Sequence, residues 1–212
     1  MSNIWIETRS GKIFYLLDPN PADVDFANDV APTLAGVVRF LNVGDRDHES
    51  SGVEPFARRR ITVARHCVMG AEALEKLGRP VAALAFLLHD AHEAYLGDII
   101  GPVKAAIRSL VPDGADPIAC LEVHIDAAIR AAAGIPVGLI TEDDEVMVKA
   151  MDRTLLFSER DYLRSGRKPP LPWADDQGGR VLIEPKWGND TADWMDALNR
   201  LLVACCLPGV SP

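Results

Sequence analysis

The spacing of apolar and polar residues predicts a chain built mainly of helices. In most segments after residue 60, apolar residues recur every three to four positions, which is the period of a helix with one buried face. Capping residues or proline precede several of these segments, and glycine follows several of them, as at ordinary helix ends. The predicted helices cover residues 62–77, 80–97, a shorter stretch from 102, 116–134, 141–166 and about 191–206.

The N-terminal part follows a different pattern. Two short alternating runs flank Arg9-Ser10-Gly11 in "WIETRSGKIFYLL" and predict a small β-hairpin. Apolar residues at positions 30, 34, 37, 38 and 41 predict a helix after it. The polar stretch 42–55 and the Pro- and Gly-rich stretch 167–179 predict exposed loops. Because no long linker or internal repeat divides the chain, we expect one all-α domain over residues 1–212, a helical bundle with an N-terminal hairpin.

Composition narrows the classes of partner. The net charge of −9 argues against a nucleic-acid polymer, because proteins that bind one usually present a basic surface. A small phosphorylated ligand stays possible, since it needs only a few local cations. The sequence contains no apolar run long enough for a membrane span and no apolar signal core at its start. Four cysteines without a CxxC pair are typical of reduced thiols. We therefore expect a cytoplasmic protein.

The stretch "ALAFLLHDAHEAYLGDI" combines an apolar helix with a dense group of ionisable residues. It carries five of them within ten positions and contains no lysine or arginine: His89, Asp90, His92, Glu93 and Asp98. Burying such groups costs several kcal/mol unless they are paired or bind a metal. In a continuous helix His89 and Glu93 share a face. Imidazoles with carboxylates suit divalent Mn, Co, Fe, Ni or Zn, so the stretch predicts a metal site.

Further metal ligands would have to come from other helices. His66 lies in the amphipathic helix that precedes this stretch, and two helices joined by a short turn pack antiparallel. Asp152 lies among apolar residues of the helix 141–166, where a lone carboxylate is costly. Each residue also has an ordinary structural interpretation. His66 would then be a hydrogen-bonded core histidine, and Asp152 would pair with Arg153 or Lys149.

Two other histidines give weaker signals. His92-Glu93 resembles the start of the zinc-protease motif HExxH, but Leu96 occupies the position of its second histidine. His124 lies in an alanine-rich helix between two acidic residues and is expected to face solvent.

Together these residues resemble a known family. His66, His89-Asp90 and Asp152 resemble the H…HD…D signature of the HD superfamily of metal-dependent phosphohydrolases. The segment "LLHDAHEAYLGDIIGPVK" is similar to HD-x-x-E-x-x-x-x-D-x-x-x-P-x-K of the bacterial 5′-deoxynucleotidase branch, and "ITVARHC" to its S-V-A-x-H-S. "MDRTLLFSERDYL" and "LDPNPADVDFANDVAPTLAGVVRFLN" resemble a related branch of HD phosphohydrolases. The resemblance extends from about Gly11 to about Leu202.

The resemblance implies an all-helical HD domain with one divalent ion per chain. His66, His89, Asp90 and Asp152 would hold the ion, which could also be Mg. The metal would offset the cost of burying these side chains. Glu93 and Asp98 would be the catalytic acid–base candidates, and the sequence leaves open which of them handles the proton. A two-metal site is not expected, because the sequence lacks further histidines at suitable spacing.

The resemblance also implies a substrate, a nucleoside or deoxynucleoside 5′-monophosphate. In the deoxynucleotidase branch an arginine upstream of the first metal-binding histidine binds the substrate phosphate. Arg39 and Arg65 are the best-placed candidates, with Arg58, Arg59 and Arg60 behind them. Lys104 occupies the family's lysine position after the proline.

Two departures and several alternatives qualify this reading. Arg65 replaces the usual Gln or Glu of the motif, and Cys67 replaces a Ser. The alternatives are hydrolysis of a pyrophosphate-linked regulatory nucleotide and a metal-binding protein that senses a nucleotide without turnover. Retention of both Glu93 and Asp98 favours an enzyme over a sensor. Homodimerisation is left open.

Overall fold

A computed structural model of the chain describes residues 4–41, 60–164, 179 and 188–210. It is mostly helical and has one small antiparallel hairpin at the N-terminal end, which confirms the expected fold class at this level. The strands are β1 (Trp5–Glu7) and β2 (Ile13–Tyr15). The α-helices are α1 (Ala31–Leu34), α2 (Val63–Lys76), α3 (Pro80–Leu88), α4 (Glu93–Leu96), α5 (Gly101–Leu110), α6 (Pro117–Ala132), α7 (Glu142–Arg164) and α8 (Asp190–Ala204). Short 3₁₀ turns occur at Pro21–Asp23 and Pro112–Gly114, and a π turn at Phe26–Val30. The predicted loops 42–55 and 167–178 lie outside the described residues.

Polar and aromatic contacts fasten the hairpin to the rest of the fold. The turn between its strands donates hydrogen bonds from Ser10 N and Ser10 Oγ to the buried carboxylate of Asp29, at 2.6 and 2.9 Å. Phe14 of β2 is fully buried and stacks on Tyr95 of α4, with 3.8 Å between the ring centroids. The hairpin therefore covers the helical core rather than forming a core of its own.

Helix α3 is the centre of the core. Every residue from Ala82 to Leu88 is buried, and α2, α6, α7 and α8 pack around this helix. A helix that is apolar on all sides is expected in such a position. The approach of α2 is close at Gly70, where an added Cβ would lie 2.1 Å from the ring of Phe86. Glycine at this position lets the two helices meet.

Local capping signals set several helix ends as predicted. Thr62 and Asp116 each accept a hydrogen bond, 3.1 Å long in both cases, from the backbone N–H three residues later. Thr141 and Asp144 bond reciprocally, with Thr141 N donating to Asp144 Oδ2 at 3.0 Å and Asp144 N to Thr141 Oγ1 at 3.3 Å. These side chains satisfy backbone donors that a helix start leaves free.

The predicted helix over apolar positions 30–41 is wrong beyond Leu34, where α1 ends. The chain turns at Gly36, and Val38 then pairs with Thr62 in an antiparallel bridge. In this bridge Arg39 N donates to Ile61 O at 2.9 Å. Extended pairing suits β-branched residues better than a helix does. The pairing also brings Arg39 to the start of α2.

The predicted continuous helix from residue 80 to 97 is also wrong, because α3 ends at Leu88 and α4 begins at Glu93. The backbone between them forms tight turns, with Ala91 N donating to Leu88 O at 3.0 Å. The carbonyl of Phe86 lies 2.6 Å from His89 Nδ1. The same carbonyl also accepts from His89 N at 3.3 Å, so the last turn closes with bonds between residues three apart, and the regular helix ends.

None of the helices in the described part of the chain has both the length and the apolar composition needed to cross a membrane.

Candidate metal centre

The structure brings the four predicted metal ligands together from three places in the chain. His66 comes from α2, His89 and Asp90 come from the turn after α3, and Asp152 comes from α7. His66 Nε2 lies 3.2 Å from Asp152 Oδ1 and 3.8 Å from Asp90 Oδ2. His89 Nε2 lies 3.2 Å from Asp90 Oδ1 and 3.9 Å from Asp152 Oδ1. One atom each from His66, His89 and Asp152 lies within 4.8 Å of the others, so these three could hold a common ion, and Asp90 lies beside both imidazoles.

The two histidines share one hydrogen-bonding arrangement. His66 Nδ1 lies 2.7 Å from Glu159 Oε1, and His89 Nδ1 lies 2.6 Å from the carbonyl oxygen of Phe86. Both acceptors favour a proton on Nδ1. Both Nε2 atoms are buried and have no hydrogen-bond partner among the described residues. Metal-binding histidines commonly hold one ring N–H to an oxygen and offer the other nitrogen to the metal.

The charges of this cluster fit a divalent ion. Among the described residues it contains the carboxylates of Asp90, Asp152 and Glu159 and the guanidinium of Arg39, which bonds to Asp90 Oδ2 and Glu159 Oε2 at 3.1 Å each. Three negative charges and one positive charge leave an excess of two negative charges, which one divalent cation would neutralise. The residues present therefore fit such an ion by donor type and by charge.

Without a metal, protons take up the same excess charge. Burial and Arg39 lower the pKa of His66, but Glu159 and Asp152 outweigh them and raise it to about 9. Burial also lowers the pKa of His89, and Asp90 and Asp152 raise it to about 9. A metal that binds at neutral pH must therefore displace protons from both imidazoles.

Cys67 lies beside the cluster, and one atom each from Cys67, His89 and Asp90 lies within 4.8 Å of the others. Burial, followed by Asp90, raises the pKa of the Cys67 thiol far above its ordinary value. In the absence of a metal the thiol therefore keeps its proton. Cys67 adds a sulfur atom to the potential ligands beside the imidazoles and carboxylates.

The two predicted acid–base residues lie next to the cluster. Glu93 begins α4 and is buried, and its Oε2 atom has no hydrogen-bond partner in the described part of the chain. Burial, Asp90 and Asp98 raise the pKa of Glu93 to about 8, so Glu93 carries a proton at neutral pH. Burial also raises the pKa of the half-buried Asp98. Glu93 is the more strongly perturbed of the two.

The three predicted phosphate ligands have different positions. Arg39 belongs to the cluster through Asp90 and Glu159. Lys104 of α5 is half-buried, and its ammonium lies 2.7 Å from Glu122 Oε1. Burial alone would lower the pKa of Lys104, but the bond to Glu122 and the charges of Glu93 and Asp90 raise it. Lys104 therefore lies within electrostatic reach of the site.

Arg65 is not brought to the cluster. Its guanidinium bonds to two carboxylates of α8, those of Asp190 and Asp193, the latter at 2.6 Å. Of the other arginine candidates, Arg58 and Arg59 lie outside the described residues, and Arg60 is exposed.

Sequence reasoning missed the role of Glu159. It lies two turns after Asp152 on α7, is fully buried, and binds both His66 and Arg39. The signal available was the spacing of seven residues between two acids in an apolar helix, which places both on one face. His92 is buried as well, whereas His124 is exposed, as expected.

Comparisons with known proteins identify relatives. No protein-family model matches the chain. It is 32% identical over 139 residues to an uncharacterized protein of Rhodobacter capsulatus, an alignment that covers 64% of this chain and 61% of that protein. It is 33% identical over 156 residues to the uncharacterized protein YfdR of Escherichia coli, covering 74% of this chain and 70% of YfdR. The chain thus spans less than two thirds of the Rhodobacter protein and rather more of YfdR. At this identity and coverage, the chain belongs to the same family as YfdR.

Proposed function

We propose that the protein is an HD-type metal-dependent phosphohydrolase that cleaves a phosphomonoester, with a nucleoside or deoxynucleoside 5′-monophosphate as its substrate. The observation that carries the proposal is the convergence of two imidazole nitrogens without a hydrogen-bond partner and two carboxylates. The cluster has an excess of two negative charges and lies beside Glu93, which is buried and protonated. The sequence resemblance to HD phosphohydrolases supports the same activity.

His66, His89, Asp90 and Asp152 would hold the divalent ion. A divalent ion in such a site polarises a phosphoryl oxygen and lowers the pKa of a bound water. The chain's own contribution is to keep the ligands oriented. Glu159 holds the His66 ring, and the Phe86 carbonyl holds the His89 ring.

Glu93 would move the proton in the reaction. Hydrolysis would transfer the phosphoryl group from the nucleoside oxygen to the oxygen of a water: the new P–O bond forms, the old one breaks, and the nucleoside alkoxide takes a proton from a carboxylic acid. An acid with a pKa of about 8 holds that proton at neutral pH, and the proton that the attacking water loses restores it. Asp98 is the alternative donor, because burial raises its pKa as well. Lys104 would meet the negative charge of the phosphate, since it is the cation beside Glu93 that is not bound to the metal ligands themselves.

The test is a screen of phosphate release. The purified protein is freed of metal and reloaded with Mn, Co, Ni, Mg or Zn. Each form is then given nucleoside 5′-monophosphates, 3′-monophosphates, p-nitrophenyl phosphate and a pyrophosphate-linked nucleotide. We expect 5′-monophosphates to give the highest kcat/KM. Turnover of the pyrophosphate-linked nucleotide alone would transfer the assignment to that substrate class, and tight nucleotide binding without turnover would make the protein a sensor.

Glu93→Gln tests the proton-transfer role, because it keeps the size of the side chain and removes the titrating group. We expect kcat to fall by about 10²–10⁴-fold, while the His66–His89–Asp152 ion is retained by elemental analysis. Glu142→Gln, an exposed substitution on α7, is the control and should leave kcat unchanged. If Asp98→Asn rather than Glu93→Gln shows the loss, the proton moves through Asp98.

A further inference from the structure

Helix α5 carries Lys104 beside the candidate site but has no side chain buried in the core. Every residue of Gly101–Leu110 stays at least partly exposed. Its apolar residues, such as Val103 at 43% exposure, therefore contribute little to fixing the helix. A lysine adds a flexible four-carbon stem, whose freedom is lost when the ammonium is held in one place. Polar contacts therefore have to set the position of this ammonium.

Glu122 of α6 makes such a contact. Its Oε1 atom lies 2.7 Å from Lys104 Nζ, and the two side chains are 19% and 28% exposed. Unlike α5, helix α6 is anchored in the core, through the buried Ile125 and Ile129. An ion pair that is partly shielded from water is stronger than one in full contact with it. Glu122 therefore connects the ammonium to a fixed part of the fold.

The same face of α6 adjoins the candidate acid Glu93. Asp126 lies one turn after Glu122, and its Oδ1 atom is 2.9 Å from His92 Nδ1. Glu122 Oε1 in turn lies 3.7 Å from His92 Nε2. Because His92 directly precedes Glu93, these contacts place the Lys104–Glu122 pair beside the start of α4.

We infer that Glu122 is a positioning residue that holds the ammonium of Lys104 in place for the phosphate group of the ligand. The inference rests on the proposed function in taking Lys104 as the cation that meets the phosphate. An ammonium has three N–H donors, so the bond to Glu122 leaves two for phosphate oxygens. A cation that is already held loses less freedom when the ligand binds, and the ligand binds more tightly for that reason. Glu122 itself does not touch the ligand.

The experiment measures binding of inorganic phosphate to the Mn²⁺-loaded protein by calorimetry, which needs no turnover. Glu122→Gln keeps the size of the side chain and removes its charge, and we expect Kd for phosphate to rise about three- to tenfold. A fall in Kd would mean that Glu122 competes with phosphate for Lys104, and it would overturn the inference. An unchanged Kd, or a wild type that binds no phosphate, overturns it as well.

The matched control is the other ion pair between α5 and α6. Arg108 Nε lies 2.7 Å from Asp116 Oδ2, and this pair does not involve Lys104. Asp116 also caps α6, and asparagine caps a helix about as well as aspartate. Asp116→Asn should therefore leave Kd unchanged. If it raises Kd as much as Glu122→Gln does, the attachment of α5 matters and the position of the ammonium does not.

A double-mutant cycle separates positioning from a general structural effect. In a Lys104→Met background, Glu122→Gln should add no further loss of phosphate affinity, because the group that it holds is gone. A loss that persists in this background places the action of Glu122 elsewhere and overturns the inference. Metal content should equal that of the wild type in every variant.

Kinetics with the best phosphomonoester distinguish the inference from the proposed function. Glu122→Gln should raise KM and leave kcat within about two-fold, as loss of uniform binding does. Absence of hydrolysis in the wild type, with the expected changes in phosphate affinity, would reject the proposed activity and retain the role of Glu122. Intact hydrolysis with unchanged KM and Kd in Glu122→Gln would reject that role alone.

Discussion

At the scale of single residues, Glu159 links the groups that shape the metal site of His66, His89, Asp90 and Asp152. Its two oxygens accept from His66 and from Arg39, at 2.7 and 3.1 Å. Arg39 in turn bonds to Asp90 at 3.1 Å. A buried carboxylate paired in this way fixes the tautomer of the imidazole and the position of a neighbouring ligand at once.

Glu159→Gln should therefore weaken metal binding without touching a ligand. The amide keeps the volume but gives His66 Nδ1–H and Arg39 a weaker acceptor, and loss of such an outer partner typically costs about 10–100-fold in metal affinity. Competition with a chelator measures the effect, and Glu142→Gln on the exposed first turn of α7 is the control. An affinity within two-fold of the wild type would show that His66 is oriented without Glu159.

At the scale of elements, α2 and α8 are joined by two arginine–carboxylate contacts that differ in burial. The Arg65 side chain is 7% exposed and bonds to Asp190 and Asp193. Arg200 of α8 is 45% exposed and lies 3.1 Å from Glu75 of α2. Both contacts connect the same pair of helices, but Arg65 is more buried and has two carboxylate partners where Arg200 has one.

Arg65→Ala should lower the free energy of unfolding by about 2–3 kcal/mol, because it removes the cation between two partly buried carboxylates, leaves Asp190 only its bond from Thr62, and removes a packed stem. Arg200→Ala should cost no more than about 1 kcal/mol, as exposed ion pairs do. Urea unfolding measures both, and metal content should stay at the wild-type value. If the Arg65→Ala protein had unchanged stability but a raised KM, Arg65 would be a phosphate ligand rather than a structural ion-pair partner.

At the scale of the whole molecule, the metal site connects separate parts of the chain. Its ligands come from α2, the turn after α3 and α7, and its Arg39 comes from the bridge before α2. These elements are far apart in sequence, so the unfolded chain does not bring the ligands together. An ion that binds the folded state alone therefore stabilises the whole fold.

Metal loading should accordingly raise the melting temperature. At a free concentration about 100 times Kd the ion contributes about 2.7 kcal/mol, or roughly 5–10 °C for a chain of this length. Scanning calorimetry with and without a chelator measures the shift. Asp152→Asn, which removes one carboxylate ligand, should show a smaller rise in melting temperature on metal loading. Equal melting temperatures of the stripped and loaded wild type would contradict a resident ion.

Much of the local structure is determined by the sequence itself. The starts at Thr62, Asp116 and Thr141 and the hairpin turn before Gly11 depend on contacts within a few residues, which a sequence displays directly. The residues His66, His89, Asp90 and Asp152 could likewise be chosen from residue type and apolar surroundings. The sequence did not show that the helix breaks after Leu88. The residues that follow have the pattern of a continuing helix, and the break depends on backbone hydrogen bonds that a sequence does not display.

Tertiary structure alone decided which polar groups became partners. Glu159 is 93 residues from His66, Asp190 is 125 from Arg65, and Asp126 is 34 from His92. An acidic residue in a helix has many possible partners, and only the packing of α6, α7 and α8 around α3 selects one. The same packing left Arg65 in an interhelical ion pair and placed Asp126 against His92. Charge pairing at such separations follows from the fold, because burial removes water as the competing partner and makes each unpaired group costly.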